Sequence, residues 1–203
     1  KNIMKDLKTL TKTKKVDFVY IPKFKDIFKN NMKPKIKLNK KDKILCAKYR
    51  EGHFEGVLDV MDKLTNIVKP TKIFMGNKDF QQMFLVKNFL KNKYNIDVVE
   101  CATIREKNKV ALSSRNYLLS KENLKLAGKI VRKIIDLKKN IKIKKNKNKY
   151  LLTVKDDFQK KFKIKIEYLE LRNTNNLKLS NVIKRSKLFV AYYLNGVRLI
   201  DNL

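Results

Sequence analysis

Gly76-Asn77-Lys78-Asp79-Phe80-Gln81-Gln82 lies between an apolar run, Ile73-Phe74-Met75, and a segment whose apolar residues, Met83, Phe84, Val86, Phe89 and Leu90, follow helical spacing. A buried strand that turns through a glycine into a helix is the corner at which open α/β sheets hold phosphates. The helix N-terminus offers unpaired N–H groups and a partial positive charge, the glycine lets the backbone come close, and Lys78 adds a full charge. Taken singly the tetrapeptide is a weak signal, because Gly-x-Lys-Asp turns also arise by chance. A later polar turn, Ala111-Leu112-Ser113-Ser114-Arg115-Asn116, supplies two hydroxyls and a guanidinium.

Working outward, the pattern on both sides is strand alternating with helix. Ile3, Met4, Leu7 and Leu10 mark the end of a helix over residues 1–13, Val16–Ile21 reads as a strand closed by Pro22, and Ile36 and Leu38 suggest a short half-exposed strand. A helix over 54–68 stops before Pro70, 72–75 is a buried strand, 80–90 a helix and 96–100 a strand. This is the signature of βαβ units on a parallel sheet. After Thr103 come a helix over 121–137, a charged loop over 138–149, a helix over 150–162 and strands over 164–169, 188–194 and 197–200. The expected fold class is therefore α/β: βαβ units on a parallel sheet over 1–103 followed by a small α+β domain over 104–203.

The 203 residues are 43% hydrophobic, enough for a globular core, and carry a formal net charge of +32. Such charge ordinarily points to nucleic acid or an anionic surface. Here the lysines are spread along the whole chain beside many Asn and Ile, while Gly and Pro number 5 and 3, the bias that A/T-rich codons produce. No aromatic residue interleaves with the lysines of 140–149 to stack on bases, which argues against a nucleic-acid partner. Cys46 and Cys101 stand far apart in apolar surroundings and read as buried free thiols of a reducing compartment. No stretch has the eighteen or so apolar residues of a membrane span, so the expected location is the cytoplasm, with a plastid-type compartment as the alternative.

In order along the chain, Arg50-Glu51-Gly52-His53-Phe54-Glu55-Gly56-Val57, GNKDFQQ, Arg105-Glu106, ALSSRN and Arg198-Leu199-Ile200-Asp201-Asn202 resemble the pantothenate synthetase (pantoate–β-alanine ligase) family, from about Asp6 to Leu203. The resemblance implies that residues 1–103 are an incomplete Rossmann-like nucleotidyltransferase domain and 104–203 a hinged α+β lid, usually paired as a homodimer. It implies ATP-dependent condensation of pantoate with β-alanine through pantoyl adenylate, with Mg²⁺ on the triphosphate. Lys78, Ser113, Ser114 and Arg115 are then the catalytic groups. ATP is held by Gly76, Asn77, Lys78 and Asp79 on one side and by Ile104, Leu112 and the Ser113–Arg115 turn on the other. Gln82 binds pantoate, since an amide can donate to a carboxylate and accept from a hydroxyl. Arg50 and His53 form the wall of the site, and Asp6 matches an acidic position near the metal.

Each residue also has a plain reading: a helix start for Lys78 and Asp79, a capped turn for the serines, a structural imidazole for the single histidine. The sequence departs from the family pattern at Asn77, where glutamate is usual, and at Asn108-Lys109-Val110, which replaces Asp-Gly-Leu and removes a glycine from the turn that delivers the serines. The family's Pro-Thr-Met-Gly-x-Leu-His-x-Gly-His segment is absent from the 203 residues. The chain is accordingly expected to be the C-terminal two-thirds of such an enzyme, inactive when isolated. A degenerate non-catalytic remnant of the same fold and, behind it, a basic nucleic-acid-binding module are the competing readings.

Overall fold

A computed structural model describes residues 3–28 and 36–203. The chain forms two compact units, residues 1–35 and 36–203.

In the first unit, α1 (Ile3–Lys12) has Asp6 in its first turn and Lys12 in its last, both favourable to the helix dipole, and buries none of its residues. The strand expected over Val16–Ile21 does not form. Those residues have no ladder partner among the described residues, and Phe18 is 93% exposed. An alternating pattern makes a strand only where a neighbour takes up its N–H and C=O groups. α2 (Phe24–Ile27) is a single turn, in which the Lys23 N–H donates to Asp26 Oδ2 at 2.7 Å. Part of the lysine-rich connection expected between Pro22 and Lys43 lies outside the described residues.

The second unit opens with irregular backbone where a short strand was expected. Ile36 and Leu38 instead pack, partly buried, against a hydrophobic core. A 3₁₀ turn (Lys40–Asp42) and the one-turn α3 (Cys46–Tyr49) follow, then α4 (His53–Val68). β1 (Lys72–Gly76), α5 (Phe80–Tyr94) and β2 (Asp97–Cys101) form one βαβ unit, with β1 and β2 parallel and Gly76 opposite Cys101. α5 runs past its expected end because Lys91 and Lys93 are good helix formers that complement the C-terminal dipole, and Asn95 then closes it in the left-handed conformation. β1 is half-buried, not buried: its residues alternate between exposed and intermediate, with Phe74 67% exposed. Cys101, expected inside, is exposed where β2 ends, whereas Cys46 is buried.

Beyond residue 120, α6 (Lys121–Asn140) is capped by Ser120, whose Oγ accepts the Asn123 N–H. The charged loop expected over 138–149 shrinks to a few residues. Ile141, 0% exposed, pins a 3₁₀ turn to the core, and Asn146 caps α7 (Lys147–Phe162) by accepting the Lys149 N–H. β3 (Lys165–Asn173), β4 (Ser186–Leu194) and β5 (Val197–Asn202) make an antiparallel sheet in that order. Asn195 and Gly196, both with positive φ, turn β4 into β5 as a tight hairpin needs.

The core follows from the period of two along these strands. Leu188, Val190 and Tyr192 of β4 face one cluster with Ile130, Ile134 and Leu151 of the long helices, while Phe189 and Ala191 face another with Phe54, Phe80, Met83 and Leu90. A bulge between Ile166 and Tyr168 sends those two side chains to different cores. The sheet is covered on both faces, which is why β4 reads as an unbroken apolar run.

Candidate active site

Five segments of the second unit enclose a cavity of about 260 Å³: the α3 turn with Arg50, the start of α4, the Lys78–Gln82 corner, the turn around Val110 and Ser113–Asn116, and the sheet residues Tyr168, Phe189 and Arg198–Asn202. Lys78, Asp79, Gln82, Ser113, Ser114, Arg115, Arg50 and His53, all expected in the site, line it. Gly76, Asn77, Ile104 and Leu112 do not line it; Ile104 and Leu112 are 67% and 52% exposed. Asp6 belongs to the N-terminal unit, exposed on α1.

The Asn77–Asp79 residues form a 3₁₀ turn that leads directly into α5. Lys78 Nζ lies 3.4 Å from Asp79 Oδ1, with the lysine side chain 22% and the aspartate 50% exposed, so the pair is loose and solvated. Asn202 Nδ2 donates to the Asn77 and Lys78 carbonyls at 2.7 and 2.9 Å and ties the turn to β5. Across the cavity the Arg115 N–H donates to Ser113 Oγ, and Arg115 Nη1 donates to the Arg198 carbonyl at 2.6 Å. A guanidinium has five N–H donors, so most of those on Arg115 remain for a ligand.

The hairpin that delivers the serines is built without the family's glycine. Lys109 takes its place with φ 74°, and the Lys109 N–H donates to the Glu106 carbonyl while Glu106 N–H donates to that of Val110. Asn108 braces the turn from within: its Oδ1 accepts the Val110 N–H and its Nδ2 donates to the Leu124 carbonyl. α6 approaches so closely here that a Cβ on Gly128 would lie 3.0 Å from that of Asn108. Arg105 holds the base of the hairpin through both carboxylate oxygens of Asp201, at 2.7 and 2.9 Å, and Asp201 raises the guanidinium pKa further above its ordinary value.

The floor has groups that sequence reading passed over. Arg198 Nε and Nη2 both donate to Glu167 Oε2, and Nη2 also reaches Cys46 Sγ at 3.4 Å. Burial works against the Arg198 charge, but the Glu167 hydrogen bonds outweigh it and hold its pKa above the usual arginine range. The Tyr168 hydroxyl stands 3.1 Å from Cys46 Sγ, and burial, then the neighbouring thiol, pushes that phenol up. Gln81, given no role from the sequence, is buried and donates from Nε2 to the Asp42 and Ile44 carbonyls at 3.2 and 2.8 Å. It braces a loop in which Leu45 has φ 48°, a conformation that costs a leucine about 1–3 kcal/mol. Helical periodicity carries no signal for Gln81, which lies across α5 from Met83 and Val86; its burial comes from the loop whose Asp42 and Ile44 carbonyls it holds.

The charges do not balance. Asp79 pairs with Lys78, Glu167 with Arg198 and Asp201 with Arg105, which leaves Arg50 and Arg115 with no salt bridge among the described residues. Burial, followed by the Arg115 charge, lowers the Arg50 pKa; burial, followed by Arg50, lowers that of His53, so the imidazole is neutral at neutral pH. A cavity with surplus guanidinium charge suits a polyanion of phosphoryl type. Among the described residues no group of three or more His, Cys, Asp or Glu could hold a metal ion. Asp79 is the one lining carboxylate free of an arginine, so the residues present do not build a magnesium site of their own.

Residues 1–203 match the family model described as pantoate-β-alanine ligase. The pantothenate synthetase of Leptospira interrogans is 37% identical over 203 residues, covering 98% of this chain and 70% of the relative. Among solved structures, a pantothenate synthetase of Thermus thermophilus superposes with a TM-score of 0.89 at 24% identity over 100% of this chain and 74% of its own, which establishes the fold. The pantoate-β-alanine ligase of Francisella tularensis, solved in complex with β,γ-ATP and β-alanine, gives 0.80 at 30% identity over 100% of this chain and 70% of its own. With the match running from the first residue to the last, the chain belongs to the pantoate-β-alanine ligase family.

Proposed function

We propose that this cavity is the adenylation site of an enzyme that joins pantoate to β-alanine at the expense of ATP. The observation that carries the reading is the meeting of Lys78 and Arg115, distant in sequence, on the walls of one cavity with surplus positive charge. A pantoate carboxylate oxygen attacks the α-phosphorus of ATP, forming a P–O bond as the bond to the β-phosphate breaks and pyrophosphate leaves. The amine of β-alanine then attacks the acyl carbon, the C–N bond forms, AMP departs with the carboxylate oxygen, and the amine loses its proton. No covalent nucleophile of the protein is needed; the work is positioning and the neutralisation of phosphate charge.

Lys78 and Arg115 take the negative charge that moves onto pyrophosphate, and Ser113 and Ser114 donate hydrogen bonds to the same oxygens. Gly76, Asn77 and Asp79 shape the nucleotide corner, with Ile104 and Leu112 against the base and ribose once the Ser113–Arg115 turn closes. Gln82 takes pantoate, and Arg50 with neutral His53 forms the wall. Mg²⁺ enters as part of the MgATP substrate; no residue of the cavity is assigned to hold it, and the metal role of Asp6 rests on the family resemblance alone. The chain divides near residue 103 into nucleotide domain and lid, works in the cytoplasm and pairs as a homodimer. Residues 1–203 contain one histidine, and we assign them no adenylation by themselves.

Lys78→Ala and Arg115→Ala in the full-length gene product test this. Pantoate-dependent pyrophosphate release is expected to fall by about 100-fold or more in each, as when an oxyanion donor is removed, while the melting temperature stays near that of the parent. Losses of activity that merely track losses of stability would overturn the assignment. Residues 1–203 alone are expected to release no pyrophosphate, and robust turnover by them would refute that part of the reading.

A further inference from the structure

The carboxamide of Asn202 is fully engaged. Both contacts made by Nδ2 go to successive carbonyls of the nucleotide corner, Asn77 O at 2.7 Å and Lys78 O at 2.9 Å. Its Oδ1 accepts from Lys187 Nζ at 2.8 Å, its main-chain N–H donates to Asp201 Oδ1 at 2.8 Å, and its carbonyl accepts from Arg105 Nη2 at 3.3 Å. Lys187 Nζ in turn lies 4.8 Å from the centroid of the Phe80 ring, the first residue of α5. Asn202 is 5% exposed, so the amide can neither rotate away nor exchange these partners for water.

We propose that Asn202 is the positioning residue of the Lys78 corner, acting through the backbone and not by touching substrate. The proposal rests on the assignment of that corner to ATP. Fixing the carbonyls of Asn77 and Lys78 fixes the two peptide planes on either side of Lys78, and with them the direction of its side chain and of the N–H groups that open α5. The same strand receives Arg115 on the Arg198 carbonyl. Residues 198–202 therefore gauge the distance between the lysine and the arginine, and the separation of the two phosphate-facing groups is a property of β5. Asparagine is the side chain this task demands. Aspartate has the same shape but would set a carboxylate against two carbonyl oxygens, and alanine would leave both without their donor.

The test uses Asn202→Ala and Asn202→Asp in the full-length gene product, with steady-state kinetics, thermal melting and hydrogen exchange. Asn202→Ala is expected to raise KM for ATP about tenfold, equivalent to about 1.4 kcal/mol, while KM for pantoate moves less than about twofold. Asn202→Asp keeps the volume and the Lys187 contact, so it folds where the alanine variant fails, and its KM for ATP rises further. In both, amide exchange quickens at 77–82 more than along β4 and β5. A purely structural role would move both Michaelis constants with the melting temperature and loosen the sheet as much as the corner, and that result overturns the proposal. An unchanged KM for ATP in Asn202→Asp does the same. If the parent protein makes no pantothenate from ATP, pantoate and β-alanine, the function proposed above falls, and exchange at 77–82 still decides whether Asn202 holds the corner.

Discussion

β1 and β4 are both apolar strands, and they lie in opposite surroundings. β4 is the middle of a three-stranded sheet packed on both faces, with Leu188 0%, Val190 1% and Ala191 0% exposed. β1 pairs only with β2 among the described residues and leaves Phe74 67% exposed. The charged groups of the cavity sit largely on turns beside the open pair, yet their hydrogen bonds end on the closed sheet: Asn202 on the Lys78 turn, the Arg198 carbonyl under Arg115, Asp201 under Arg105. The lesson is a division of labour in which one sheet supplies rigidity and the other supplies the chemistry it holds in place.

The largest effect should come from cutting the closed sheet. Leu188→Ala removes a wholly buried side chain and leaves a cavity between tightly packed layers, a loss of about 2–5 kcal/mol. Phe74→Ala, chemically the larger truncation, should cost less than about 0.5 kcal/mol because water already covers most of the ring. Denaturant unfolding of both variants measures the contrast. Equal losses would show that β1 belongs to a core as fully as β4 does and would break the comparison.

A second pair sharpens it at the level of adjacent residues. Gln81 and Gln82 both border the cavity, but Gln81 is buried and holds the Asp42 and Ile44 carbonyls, whereas Gln82 is half-buried at its wall. Gln81→Ala strands two carbonyls in a part-buried loop and should cost about 1–3 kcal/mol of stability. Gln82→Ala should leave stability nearly unchanged and raise KM for pantoate without altering that for ATP. Should Gln82→Ala destabilise while Gln81→Ala raises KM, the two roles are exchanged and the division of the site is wrong.

How much of this was legible beforehand depends on whether the deciding interaction is local. The βαβ unit, the long helices and the three final strands follow from periodicity that each segment carries in itself, whereas Lys78, Gln82 and Arg115 are singled out by short motifs that resemble the family's and would otherwise read as an ordinary helix start, an exposed helical residue and a capped turn. Val16–Ile21 misled because β-pattern without a ladder is indistinguishable in sequence from β-pattern with one. The lysine-rich stretch after residue 138 misled in the other direction: its charge suggested a loop, but Ile141 and the cap at Asn146 anchor it. Asn202 and Arg198 stayed hidden as functional groups, although their motif was read, because their partners lie more than a hundred or several tens of positions away. Cys101 reads like Cys46 in composition, and only the end of β2 separates an exposed thiol from a buried one.

The smallest expected effect concerns the hairpin that joins the two regions. Lys109 occupies the left-handed region at φ 74°, where a side chain crowds the following carbonyl by about 1–2 kcal/mol, and its own N–H is taken up by the Glu106 carbonyl. Glycine has no Cβ to crowd, but it also gains freedom in the unfolded chain, which takes back about 0.4–1 kcal/mol. Lys109→Gly should therefore stabilise the protein by about 0.5 kcal/mol, while Lys109→Ala, which keeps the Cβ, should leave it within about 0.5 kcal/mol of the parent. Lys109 is exposed, and the Arg105 hydrogen bond goes to its carbonyl and not its ammonium, so neither change removes a charge pair. Thermal melting of the two variants side by side makes the measurement. If Lys109→Gly melts below Lys109→Ala, the turn is held by its braces at Asn108 and Arg105 so firmly that local strain no longer registers, and the closed sheet's hold extends into the hairpin.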